Sequence, residues 1–182
     1  MRVSPGDRPF DGHDSRARSI EEIDGIVEIC AIGLVTVSDS RTAATDVNGR
    51  WLAEAVRSAG HVVGAAVLVR DDPAAIDQAL DGCLAAGCRV VVVNGGTGIS
   101  RRDNTADVVL RRFDKVMPGF GELFRMLSWE SVGAAATLSR AAAGTVGDAV
   151  VYALPGSPDA VRLAFERLIS PEIEHVVWEM GR

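Results

Sequence analysis

The chain predicts an α/β fold built around a mostly parallel sheet. Three observations carry that reading. Strand-like and helix-like segments alternate in order from residue 26. The strands are unbroken apolar runs such as "VVVV" at 90–93, the signature of a strand covered on both faces. The helices carry stop signals, with Gly60 and Gly87 just past two of them. Repeated strand–helix–strand units close as right-handed crossovers and give neighbouring parallel strands.

Residues 1–25, "MRVSPGDRPFDGHDSRARSIEEIDG", are rich in charge, Gly and Pro, with few apolar residues and no period. They read as a flexible tail, with the folded domain over 26–182. "IVEICAIGLVTVS" is β-branched, apolar and ended by polar residues, a first strand. "NGRWLAEAVRSAG" is helical, with Trp51, Leu52, Ala55, Val56 and Ala59 on one stripe. "HVVGAAVLV" is the second strand. "DPAAIDQALDGCLAAG" is a helix with Pro73 near its first position. "RVVVVN" is the third strand, and "TADVVLRRF" a helix with Thr105 as its expected N-cap. Beyond residue 117 the rhythm changes. "PGFGELFRMLSWESVG" reads as a helix with Phe120, Leu123, Phe124 and Leu127 on one face. "AGTVGDAVVYALPG" reads as two strands joined at Gly147-Asp148. Helices follow from Ser157 and from Pro171.

The 182 residues suffice for one domain with a substantial core. A net charge of −6 argues against general nucleic-acid binding, which needs a basic face. Cys30, Cys83 and Cys88 form no CxxC, so a reduced, cytoplasmic compartment is expected. His13, His61 and His175 show no metal-ligand spacing. No run approaches the ~20 apolar residues of a membrane span.

"VVVVNGGTGISRRDNT", 90–105, joins bare backbone, positive charge and a carboxylate. Ligands of open α/β sheets sit at the carboxyl ends of the strands, where this loop lies. Its glycines let backbone approach a ligand, and exposed N–H groups make an anion site. It is neither a Walker A loop nor GxGxxG, since Arg101 stands at the third glycine position. "VVYALPGSPDAV" supplies a second strand–loop–helix end, with Ser157 fitted to cap, and "VTVSDSR" a third. Asp103 beside such a loop implies a bound cation or a ligand donor, and Asp71 follows the second strand.

Three blocks in order, "NGGTGISRRDNT", "PGFGELFRMLSWESVGAAATLSRAAAG" and "LPGSPDAV", resemble the MogA/MoaB family of molybdenum cofactor biosynthesis proteins, whose domain recurs in the gephyrin G domain. The wording of the second block leans to the MoaB branch. The resemblance covers about residues 28–175 and implies a three-layer α/β sandwich of molybdopterin-binding type. It also implies a reaction, transfer of AMP from Mg-ATP to the terminal phosphate of molybdopterin, with a non-catalytic molybdopterin carrier as the alternative. Asp71 and Asp103 match the family's activity-linked aspartates and are expected to hold Mg²⁺ and position substrate. Ser38, Asp39, Gly95, Gly96, Thr97, Gly98, Ser139, Arg140, Pro155, Gly156 and Ser157 match its substrate-binding positions. A homo-oligomer, trimer or hexamer, is implied. Asn94 departs from the family, standing where Thr is common. Arg101, Arg102, Asp103 and Thr105 are retained, which favours activity.

Overall fold

The computed structural model describes residues 29–182. The expected tail at 1–25 lies outside the described residues. The strands are β1 (Ala31–Val37), β2 (Val62–Val69), β3 (Val90–Asn94), β4 (Lys115–Val116), β5 (Ala142–Val146) and β6 (Ala149–Leu154). The α-helices are α1 (Val47–Ser58), α2 (Pro73–Ala85), α3 (Thr105–Arg112), α4 (Pro118–Val132), α5 (Pro158–Ala164) and α6 (Ile173–Met180). A 3₁₀ stretch, Gly133–Leu138, continues α4, and a π turn, Phe165–Ile169, continues α5.

The sheet order is β2-β1-β3-β6-β5-β4. The first four strands run parallel, β5 pairs antiparallel with β6, and β4 pairs antiparallel with β5. Two packed cores flank it and make the three layers. On one face Ile32, Leu34, Val90, Val92, Tyr152 and Leu154 meet α1, α4, α5 and α6. On the other, Val35, Val37, Val91, Val93, Val151 and Ala153 meet α2 and α3. Odd and even residues of each strand thus feed opposite layers, which is why the valine runs have no polar alternation. Leu52 and Val56 of α1 are fully buried, and each such side chain contributes about 1.5–3 kcal/mol.

Element ends follow local chemistry. Asp72 caps α2 by accepting the N–H of Ala75 at 3.0 Å, and Pro73 occupies the first turn. Ser157 caps α5 through Ala160. Gly147, at φ 55°, opens the two-residue turn between β5 and β6, the glycine position of a type II′ hairpin.

Two expectations are corrected. Thr105 is the first residue of α3, not its cap; Asn104 holds the cap position without a side-chain cap bond. The Asn104 amide is committed instead to Asp71. The face expected on α4 is split. Phe120 and Phe124 enter the core, whereas Leu123 is largely exposed. Strand β4 was not expected, because two residues carry no period.

Candidate functional site

The strand order brings the carboxyl ends of β2, β1, β3 and β6 side by side. The loops after them therefore converge. Gly95 is the pivot. Its N–H donates to the Leu154 carbonyl at 3.0 Å, and its φ is 102°. A Cβ there would collide with the Val37 carbonyl oxygen. Gly156 packs against it, its own added Cβ falling 3.2 Å from the Gly95 Cα. Only glycine lets three strand ends close on one point. The backbone N–H groups of Gly96, Thr97 and Gly98 then have no protein acceptor. Consecutive free N–H groups of this kind hold anions.

A cavity of about 840 Å³ opens over this loop. Its polar end is Gly96, Thr97, Gly98 and Asp103, completed by Pro155, Gly156 and Ser157. Its apolar wall comes from α4 and the following 3₁₀ stretch, including Phe124, Val132 and Ala136. Ser139 also lines it, with its hydroxyl accepting the Ala141 N–H at 3.2 Å.

Other expected residues stand around the cavity rather than in its wall. Gly95 lies beneath the loop. Ser38 accepts from the N–H groups of Ser40 and Arg41 and shapes the β1 loop. Asp39 accepts the Asp71 N–H at 3.2 Å and pairs with Arg70 at 3.5 Å. Arg140 faces a neighbouring depression of about 330 Å³. It donates to the Gly98 carbonyl at 2.9 Å, the Asp103 carbonyl at 2.9 Å and the Asp107 carboxylate at 2.8 Å. Its fork therefore braces both ends of the loop.

The two aspartates approach the loop at alternate glycines. A Cβ on Gly96 would stand 2.5 Å from Asp71 Oδ2, and one on Gly98 would stand 2.7 Å from Asp103 Oδ2. Asp71 Oδ1 accepts the Asn104 N–H at 3.0 Å, and Asp103 Oδ2 accepts the Ser100 N–H at 2.8 Å. Desolvation pushes the Asp71 carboxyl above its ordinary value; bonds from Asn104 oppose this, and the charges of Asp103 and Asp39 reinforce it.

Residues 33–175 match the family model described as "Probable molybdopterin binding domain". The chain belongs to this family. A curated relative, molybdenum cofactor biosynthesis protein B of Bacillus cereus, is 48% identical over 151 residues, 82% of this chain and 89% of that one. A crystal structure of a molybdenum cofactor biosynthesis protein B superposes with TM-score 0.82 at 45% identity, covering 86% of this chain and 99% of that chain. The tungsten cofactor synthesizing protein MoaB from Pyrococcus furiosus superposes with TM-score 0.79 at 34% identity, covering 86% and 100%. The three-layer fold and the leaning to the MoaB branch are borne out.

In this molybdopterin-binding domain an amide network also shapes the site. Asn48 Nδ2 donates to Asn94 Oδ1 at 2.9 Å and to the Gly156 carbonyl at 2.9 Å. Asn94 Nδ2 donates to the Val35 carbonyl at 3.2 Å and to Thr36 Oγ1 at 3.1 Å. Arg41 adds a bond to the same Gly156 carbonyl at 3.0 Å. The network ties α1, β1, β3 and the Pro155–Ser157 loop together. Asn94 was legible as the polar end of a valine strand; Asn48 and Arg41 gave no such signal.

The donor set fits a divalent cation held only in part by the protein. Among the described residues no group of three His, Cys, Asp or Glu side chains is set to hold a metal alone. Two carboxylates, each with an oxygen free of hydrogen bonds from the protein, match an ion that takes its remaining ligands from phosphate and water.

Proposed function

We propose that this chain is a molybdopterin adenylyltransferase, transferring AMP from Mg-ATP to the terminal phosphate of molybdopterin and releasing pyrophosphate. The coarser part, a role in molybdenum cofactor biosynthesis and binding of molybdopterin, rests on family membership and on the named relatives. The observation that carries the finer part is one loop serving two ends. Its N–H groups at Gly96–Gly98 have no protein acceptor, and Asp71 and Asp103 pack against the same glycines.

The nucleophile in this reaction is a phosphate monoester, already anionic at neutral pH, so no strong general base is required. One of its oxygens bonds to the α-phosphorus of ATP while the bond to pyrophosphate breaks. The barrier lies in bringing two anions together, which positioning and fixed dipoles lower. The Gly96–Gly98 amides bind the molybdopterin phosphate. The Phe124, Val132 and Ala136 wall takes the flat pterin, with Ser139 and Ser157 at its edges. Asp71 and Asp103 hold Mg²⁺, which would neutralise phosphate charge when bound. Arg140 keeps the loop in shape, and the exposed Arg101 and Arg102 attract the nucleotide.

Two observations support the carrier alternative. Asp71 Oδ1 is occupied by Asn104, and Asp71 is absent from the wall of the main cavity. Pyrophosphate release by wild type, Asp71→Asn and Asp103→Asn separates the two readings. The enzyme reading expects release by wild type and a loss on the order of 10²-fold in each variant. A carrier binds molybdopterin and releases none.

The working form is a cytoplasmic homo-oligomer of three-fold symmetry. Leu123, Met126 and Trp129 support a subunit contact on α4, because they recur at every third position and stay exposed, Trp129 by 58%. Light scattering showing a stable monomer at micromolar concentration would remove that part.

A further inference from the structure

Thr105 lies directly behind the loop and has an unused polar atom. The residue is 0% exposed, and its hydroxyl has no hydrogen-bond partner. It is the one buried side-chain polar atom among the described residues left in that state. A hydroxyl in such a place lacks the compensation that buried polar groups normally find. Valine would fill the same volume without the unmet bond. Capping does not explain the hydroxyl, since Thr105 is inside α3.

Its surroundings give it a use. The Thr105 N–H donates to the Gly96 carbonyl at 2.9 Å, tying α3 to the anion loop. The Thr105 hydroxyl and Asp71 Oδ2 flank the same face of Gly96, since a Cβ built there would collide with both. Asp71 Oδ1 is held by Asn104 through its N–H and its side-chain amide, but Oδ2 accepts no bond. An idle donor and an idle carboxylate oxygen therefore face one another across a residue that has no side chain. Site hydrogen bonds are often long before ligands bind and tighten afterwards.

We infer that Thr105 is a positioning residue: its hydroxyl closes onto Asp71 Oδ2 when Mg-nucleotide occupies the site. The inference rests on the adenylyltransferase reading for the role of Asp71. The bond would take one lone pair of Oδ2 and fix the carboxylate plane, leaving the second lone pair of that oxygen turned to the cation. Outer hydrogen bonds to ligating carboxylates commonly act in this way. Gly96 is required because any side chain would stand between the two oxygens.

The test compares wild type, Thr105→Val and Thr105→Ser. Melting temperatures are taken without ligand and with saturating Mg-ATP, and steady-state kinetics are measured with Mg-ATP and molybdopterin. Unliganded Thr105→Val should melt at or above wild type, because the hydroxyl has no partner to lose. The gain in melting temperature on adding Mg-ATP should shrink in Thr105→Val. Its kcat should fall about 10-fold or more with little change in the KM for molybdopterin, whose phosphate is held by backbone. Thr105→Ser should restore both. A drop of several degrees in unliganded Thr105→Val would overturn the inference by revealing a structural bond. So would a Thr105→Val protein matching wild type in both ligand response and kcat. Wild type without turnover would instead sink the adenylyltransferase reading, and the response to Mg-ATP would still decide for or against the Thr105–Asp71 contact.

Discussion

The carboxylate of Asp71 and the amide of Asn104, 33 residues apart in the chain, form a closed clasp. Asp71 Oδ1 accepts the Asn104 N–H at 3.0 Å, and Asn104 Nδ2 donates back to the Asp71 carbonyl at 3.0 Å. The clasp docks the loop after β2 on the entry to α3, which places Asp71 beside Gly96. It holds the charge where burial penalises it.

That penalty gives a pH dependence. Desolvation raises the Asp71 pKa above the ordinary aspartate value. A raised carboxyl binds its proton more tightly when folded, so it favours the folded state below the unfolded pKa. The benefit is lost as pH rises through the folded value. Asp71→Asn keeps the acceptor for Asn104 and removes the charge. It should melt at or above wild type at pH 7, and the difference should close as pH falls towards 3.8. Calorimetric melting between pH 3 and pH 7 checks this. A lower melting temperature at pH 7 would show that the clasp needs the charge.

Glycine need in this fold separates into geometry and clash. Gly95→Ala meets both a φ of 102° and the Val37 carbonyl. It should cost roughly 3 kcal/mol or more. Gly147→Ala has positive φ with nothing within 4 Å of the new Cβ, so it should cost only about 1–2 kcal/mol. Urea unfolding of both variants tests the contrast, which fails if the two costs are equal.

Arg140 carries the shape of the loop from outside the main cavity. Arg140→Lys keeps one charge but loses the fork that reaches the Gly98 and Asp103 carbonyls together. Amide exchange at Ser100 and Asp103 should speed up about 10-fold, the equivalent of about 1.4 kcal/mol. Affinity for molybdopterin should fall while the global melting temperature changes little. Unchanged exchange would show that the loop holds itself.

The parallel core was legible because the strands are short, apolar and separated by capped helices; "VVVVN" and "DPAAIDQALDGCLAAG" each point to one structure. The convergence of Gly95–Gly98 with Pro155–Ser157 was legible only as a condition, that β1, β3 and β6 be neighbours, and the sheet order meets it. Tertiary chemistry was not legible. Thr105 looked like a cap because threonine is a favoured N-cap residue, yet Asn104 took that position and gave its amide to Asp71. Asn48, at the start of a helix pattern, carries no local sign that it will meet Asn94 in the core. The Leu123–Trp129 face was hidden because apolar spacing on α4 fits burial and exposure equally well.

The most direct test of the adenylyltransferase reading is a single-turnover reaction of wild-type protein with molybdopterin and ATP labelled at the α-phosphate, in the presence of Mg²⁺. Label is expected on molybdopterin as its adenylyl ester, one equivalent per chain, with matching pyrophosphate. Asp103→Asn should form the same product on the order of 10²-fold more slowly. Wild type that binds molybdopterin and ATP yet leaves all label on ATP would contradict the enzyme reading and leave a carrier.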